Sequence, residues 1–188
     1  RADDCNLAIW RRAPFADFAP LTHGDPQDLR FESGLAELPQ TLRRALTEHG
    51  FGGADLHEAL IADAVMLTGM FCQALDLARF ELRLEVVRTD SCRKFHADYV
   101  RARLITTYVG EGTDWLDETQ AARVAARAEP SQINRMATFD VGLFKGKLAT
   151  DHPAIHRSPP IAESGGVRLL MVLNPARKQF VDPANSPL

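Results

Sequence analysis

Phe80-Glu-Leu-Arg-Leu-Glu-Val86 alternates apolar and charged side chains, the two-residue repeat of a half-buried strand. The chain has a different period upstream of it. From Asp55 to about Asp76, Leu56, Leu60, Ala64, Leu67, Phe71 and Leu75 recur at spacings of three and four and draw one stripe along a helix. Ile61, Val65 and Met70 on its other face predict burial on more than one side. A shorter helix is predicted from about Leu35 to His49, stopped by Gly50 and the Gly52-Gly53 pair. Before it, Pro14, Pro20 and Pro26 predict an extended, irregular arm. Downstream, strand-like runs cover Phe95 to Tyr108, Thr138 to Phe144 and Val167 to Leu173, the first closed by the turn Gly110-Glu-Gly-Thr113 and the last opened by Gly165-Gly166. Between the first two, Glu118 to Ala128 reads as a helix halted by Pro130. Helices followed by strands predict an α+β protein whose strands close into a sandwich or barrel.

Composition narrows the function. The 188 residues suffice for one sizeable core, and a hydrophobic content of 45% with 25% charged residues is that of an ordinary globular chain. A formal charge of -3 with both signs interspersed, and only isolated basic pairs such as Arg11-Arg12 and Arg43-Arg44, argues against nucleic acid as a partner. Cys5, Cys72 and Cys92 are odd in number and in no CxxC spacing, so a reducing cytoplasm is expected rather than a disulfide framework or a thiolate zinc ribbon. No apolar run approaches the roughly 20 residues of a membrane span, and the opening Arg-Ala-Asp-Asp has no signal-peptide hydrophobic region. The missing initiator Met leaves room for a removed targeting segment.

His96 and Asp98 are two apart, so on a strand both side chains leave one face at a spacing that grips a small ion. Alone the triplet is weak, being expected by chance in roughly a third of chains this size, and a surface strand with two polar residues accounts for it more simply. His156 lies between the last two strand-like runs. Two imidazoles and one carboxylate form the facial triad of non-haem Fe(II) oxygenases, leaving open positions for a 2-oxo acid and O2. Further on, Arg168 interrupts the apolar run Val-Arg-Leu-Leu-Met-Val-Leu, and burying a guanidinium there is costly unless an anion meets it. The distal carboxylate of 2-oxoglutarate is such an anion, although a rim position or an internal ion pair also explains the residue. If the strand from His96 ran without a bulge, Thr106 and Tyr108 would share the ligands' face and offer hydroxyls beside Arg168; a turn near Tyr99 would break that parity, and a core Tyr fits as well. Trp115, Phe139 and Phe144 read as core, and Cys92 as a small buried hydrophobe. His152 is excluded from an i,i+4 pair with His156 by Pro153, and His23, His49 and His57 read as structural or exposed.

The order His96-Ala-Asp98, Ile105-Thr-Thr-Tyr108, Phe139-Asp-Val-Gly142-Leu-Phe-Lys-Gly and His156 to Arg168 resembles the Fe(II)/2-oxoglutarate dioxygenase superfamily. That resemblance implies a double-stranded β-helix, or jelly roll, with the N-terminal helices packed on it: helical cover over residues 1–78, the jelly-roll core over 79–176 and a tail over 177–188. It also implies His96, Asp98 and His156 as metal ligands and Arg168 as the co-substrate anchor, in a hydroxylase or demethylase of a small-molecule or protein substrate. The stretches Phe95 to Leu116 and His156-Arg-Ser-Pro-Pro160 look like a narrower group, the bacterial family known as domain of unknown function 1826, which brings no reaction with it. Zn(II) also fits two His and a carboxylate, so a non-catalytic zinc-binding jelly roll in metal homeostasis is the alternative. Arg157 departs from the general dioxygenase pattern and has Asp151 or a substrate as its expected partner. The short loop before His156 leaves the pocket to be roofed by the N-terminal helices or by 118–136.

Overall fold

The computed structural model describes residues 5–176, so the segment read as a tail lies outside the described residues. The architecture is mixed α/β, with antiparallel sheets and few helices. In chain order the elements are β1 (Leu7–Trp10), β2 (Leu29–Ser33), α1 (Leu38–Glu48), α2 (His57–Leu75), β3 (Phe80–Val87), β4 (Ala102–Val109), β5 (Asp114–Trp115), α3 (Glu118–Ala125), β6 (Asn134–Arg135), β7 (Val141–Lys145), β8 (His156–Arg157) and β9 (Arg168–Pro175). Helix α2 falls on the three-and-four stripe and α1 within the stretch stopped by Gly50. Gly50, at φ +74°, follows α1, and Asp76, also left-handed, ends α2 by donating its N–H to the Cys72 carbonyl. The proline-rich arm is more ordered than expected, because β1 and β2 pair with β7 and β3 at the two edges of the larger sheet.

That sheet has six strands in the order β1-β7-β4-β9-β3-β2, and a smaller one has the order β6-β5-β8. His96 extends the small sheet through a two-bond bridge to His156, each N–H donating to the other's carbonyl at 3.0 Å. From β3 onward the chain therefore visits the large sheet, the small sheet at His96, the large at β4, the small at β5 and β6, the large at β7, the small at β8 and the large again at β9. The three short strands of the small sheet carry no alternation long enough to read.

Each face of the large sheet has its own core. Leu82, Leu84, Leu104, Leu169, Met171 and Leu173 pack with Leu60, Ile61, Ala64, Leu67 and Phe71 of α2. The other face points at the small sheet, where Ile105, Met136, Phe144, Leu170 and Val172 make a second cluster. Contrary to the expectation for membrane spans, Ala54–Leu75 has the length and, at a mean hydropathy of 1.4, the composition of one. Its contacts make it a core helix, and its Asp63 is ion-paired with Arg12 at 2.6 Å.

The alternation on β3 divides these two environments. Phe80, Leu82 and Leu84 face the helices, while Glu81, Arg83 and Glu85 share the face of Arg168 and Asn174 toward the small sheet. Glu81 accepts from Arg30 Nε and Arg83 Nε at 2.8 Å each and from Asn174 Nδ2 at 3.0 Å. Burial pushes its carboxyl upward, but these donors outweigh it and hold Glu81 below its ordinary 4.5. A carboxyl depressed by folding gives stability that is complete above 4.5 and is lost as pH falls through the folded value. Glu81→Gln should thus flatten the acid limb of a urea-stability profile, and equal acid slopes in the two proteins would contradict the assignment.

Candidate metal centre

The strand predicted from Phe95 to Tyr108 is interrupted. His96 stays on the small sheet, residues 97–101 cross between the sheets, and β4 begins at Ala102 on the large one. The crossing is pinned by the turn after β7: Gly146, Lys147 and Leu148 donate their N–H groups to the carbonyls of Arg101, Asp98 and Val100 at 2.9–3.1 Å. Gly146 is required there, since a Cβ would strike the Val100 carbonyl oxygen. Asp98 is fixed by this arrangement in front of the two imidazoles.

His96, Asp98 and His156 come together, one ligand atom from each lying within 4.8 Å of the others. His96 Nδ1 lies 2.9 Å from the Lys94 carbonyl and His156 Nδ1 lies 3.3 Å from the Ala154 carbonyl. A carbonyl only accepts, so in both rings Nδ1 is the atom that donates to the backbone and Nε2 is the atom turned toward Asp98. His156 Nε2 stands 3.3 Å from Asp98 Oδ2, and His96 Nε2 stands 3.9 Å from Oδ1. Oδ2 is buried and has no hydrogen-bond partner, whereas Oδ1 accepts from Arg103 Nη1 at 2.6 Å. Burial drives the Asp98 carboxyl upward, and the His156 ring, Arg103 and His96 more than offset it, keeping the group below the ordinary aspartate range. Two imidazole nitrogens and a buried, unpartnered carboxylate oxygen converge here, so the donor set fits a metal ion. Backbone acceptors behind both rings are what a ligating histidine needs to hold its tautomer. His156 also rests on Phe144, with ring centroids 4.6 Å apart.

Arg168 opens β9 on the face turned to the small sheet and has 0% exposure. Its guanidinium donates to the Glu111 carbonyl and Ser158 Oγ at 2.6 Å each, to Thr107 Oγ1 at 3.3 Å and to Thr113 Oγ1 at 3.5 Å. All four acceptors are neutral. Its full burial rules out a rim position, and among the described residues no carboxylate lies within ion-pair distance of it, although buried Asp114 acts on it through space. Burial pushes the group down to about 10, so it keeps its charge at neutral pH.

Thr106 and Tyr108 do not reach this side. The crossing at 97–101 breaks the parity with His96, and Thr107 takes the place beside Arg168. Thr106 and Tyr108 point into the helical face, where the Tyr108 hydroxyl donates to Asp63 Oδ2 at 2.7 Å and Arg12 bridges Asp63 Oδ1 at 2.6 Å and Thr106 Oγ1 at 3.4 Å. Burial and then Asp63 push Tyr108 well above its ordinary 10.0, so it remains a donor. Tyr108→Phe should cost about 1–2 kcal/mol of stability for the lost buried bond and leave metal affinity unchanged; an altered metal affinity would return Tyr108 to the site.

Other positions also differ from expectation. Arg157 pairs with buried Asp114 at 3.0 Å rather than Asp151, and lies 4.4 Å over the Phe95 ring. Cys92 is exposed, with φ +57°, and is not among the clustered donors. Helices α1 and α2 cover the face away from the triad and do not roof it. The spacing had overlooked Arg103 and Ser158; Ser158 had a signal, standing two residues after His156.

A family model described as "Protein of unknown function (DUF1826)" matches residues 1–174. The chain belongs to the DUF1826 family. Comparison of this DUF1826 chain with curated proteins finds no match. Among solved structures it is similar to AtDAO1, dioxygenase for auxin oxidation 1 from Arabidopsis thaliana, in a binary complex with 2-oxoglutarate, with a TM-score of 0.47 and 12% identity over 87% of this chain and 65% of that one. It is also similar to hydroxypropylphosphonic acid epoxidase from S. wedmorenis and to the crystal structure of Fe(II) HppE, each with a TM-score of 0.33 and 17% identity over 50% of this chain and 42% of theirs. The DUF1826 chain thus spans less than half the length of the epoxidase.

Proposed function

We propose that the protein is an Fe(II)/2-oxoglutarate-dependent oxygenase, a hydroxylase or demethylase, built on a jelly roll whose two walls are the six-stranded and three-stranded sheets. The observation that carries this reading is the unpartnered Asp98 Oδ2 facing His156 Nε2, with His96 completing a set of two imidazoles and a carboxylate. In such a set the three donors occupy one side of the ion and leave the other open. Arg168 supports the choice of co-substrate: it is a buried cation on the interior face whose hydrogen-bond acceptors among the described residues are neutral, suited to a carboxylate. Bound there, Fe(II) and 2-oxoglutarate would supply the oxidising chemistry.

The chain's own residues do the positioning. Arg103 holds Asp98 Oδ1 and so directs Oδ2 to the ion, the Lys94 and Ala154 carbonyls fix the ring tautomers, and Phe144 with Leu170 and Val172 keeps the interior dry. The three cysteines are free, which fits the reducing cytoplasm proposed for it. The substrate is a small molecule or a protein side chain. Anaerobic titration with Fe(II), with and without 2-oxoglutarate, tests the reading: the visible charge-transfer band should grow with the co-substrate. Tight zinc without that band would make the protein a metal-binding jelly roll instead.

A further inference from the structure

At the β4-start end of the large sheet, joined to Asp98 through Arg103, lies a cavity of about 580 Å3, within the size range that takes small organic ligands. Arg30, Arg83, Arg101 and Arg103 line it against one carboxylate, Glu81. Three of these guanidiniums are engaged within the protein: Arg30 and Arg83 hold Glu81, and Arg103 joins Asn174 Oδ1 at 2.8 Å to Asp98 Oδ1 at 2.6 Å. Arg101 is exposed and its side chain has no ion pair or hydrogen bond among the described residues. The remaining wall is apolar, with Leu77, Val100 and Leu148, and Tyr99 stands at the rim with 77% exposure directly after the ligand Asp98.

We propose that this cavity is the substrate subsite of the metal centre and takes a small organic oxyanion, a carboxylate or phosphate carried on an apolar body. The inference rests on the reading of His96, Asp98 and His156 as a metal site. With Glu81, Glu85 and Asp98 set against Arg30, Arg83 and Arg103, Arg101 leaves the lining with a surplus positive charge, which repels a cationic ligand and favours an anion. The oxyanion meets Arg101, the member of the cluster with no side-chain partner among the described residues, and its hydrocarbon part lies on Leu77, Val100 and Leu148. Arg103 belongs to both sites, since it touches Asp98 and lines the cavity, so a molecule seated here lies beside the metal ligand.

The test titrates octanoate, octyl phosphate and octan-1-ol into the full chain by calorimetry and proton NMR, first without metal and then with Mn(II) in place of Fe(II). At least one anion should bind about tenfold or more tighter than the alcohol. Arg101→Gln, a change at an exposed side chain that leaves the fold intact, should weaken the anion about tenfold and leave the alcohol unaffected. Mn(II) should broaden the methylene signals of the bound anion, and the preferred anion tells carboxylate from phosphate. The inference is overturned if the alcohol binds as tightly, if R101Q changes nothing, or if Mn(II) is taken up without broadening the probe. Failure of the metal reading looks different: no Mn(II) uptake, with anion preference intact.

Discussion

Arg168→Ala should cost about a hundredfold in 2-oxoglutarate affinity, some 3 kcal/mol for a lost bidentate charge-assisted pair, while Fe(II) affinity stays within about twofold. Arg168 touches no metal ligand directly; its link to the triad is Ser158, two residues beyond His156. The same substitution removes a fully buried side chain and leaves the Glu111 carbonyl and three hydroxyls facing a void, which should lower stability by about 3 kcal/mol. Arg168→Lys keeps the charge and loses the fork, so it should fall between the two in co-substrate binding with a smaller loss of stability. Following the charge-transfer band of the Fe(II) protein during 2-oxoglutarate titration reads the first effect, and urea unfolding reads the second. Metal and co-substrate lost together in a folded Arg168→Lys protein would end the anchor assignment.

Asp98→Ala should abolish metal retention, weakening it by more than about a hundredfold. It also deprives Arg103 of its carboxylate; that side chain is only 17% exposed, and an orphaned guanidinium at such a depth costs about 3 kcal/mol. Asp98→Asn retains an acceptor for Arg103 and should keep most of the stability while losing the metal. His96→Ala separates the two effects further, since the His96 side chain is 38% exposed and its removal should drain affinity with little change in unfolding. Chelator competition and metal content after dialysis provide the measurement. A His96→Ala protein that holds metal as tightly as the parent would remove His96 from the ligand set.

The sequence disclosed what local periodicity and short spacing encode. The three-and-four stripe of α2 and the alternation of β3 each name their element, and the separation of His96, Asp98 and His156 along the chain anticipates the cluster. Its silence begins where distant segments decide. The break at 97–101 exists because the chain leaves one sheet for the other. A turn near Tyr99 is one of two readings the sequence leaves open, and local spacing does not choose it; the crossing moved the facing hydroxyl from Thr106 and Tyr108 to Thr107. β5, β6 and β8 are two residues each, too short to show any period. Burial of Arg168 could be read from its apolar neighbours, but not the neutrality of its hydrogen-bond partners, which come from residues 107–113 and from Ser158. The period of α2 was legible and the side of the sheet it settles on was not, since that depends on which alternate residues are greasy along several strands at once.

Strand β9 carries the sharpest consequence of that two-sided sheet. Leu169, Met171 and Leu173 belong to one core, while Arg168, Leu170, Val172 and Asn174 look the other way. One short ribbon thereby divides two kinds of selective pressure residue by residue. A deep mutational scan across it, scored once for cellular abundance and once for activity, should yield two tolerance profiles a single position out of step.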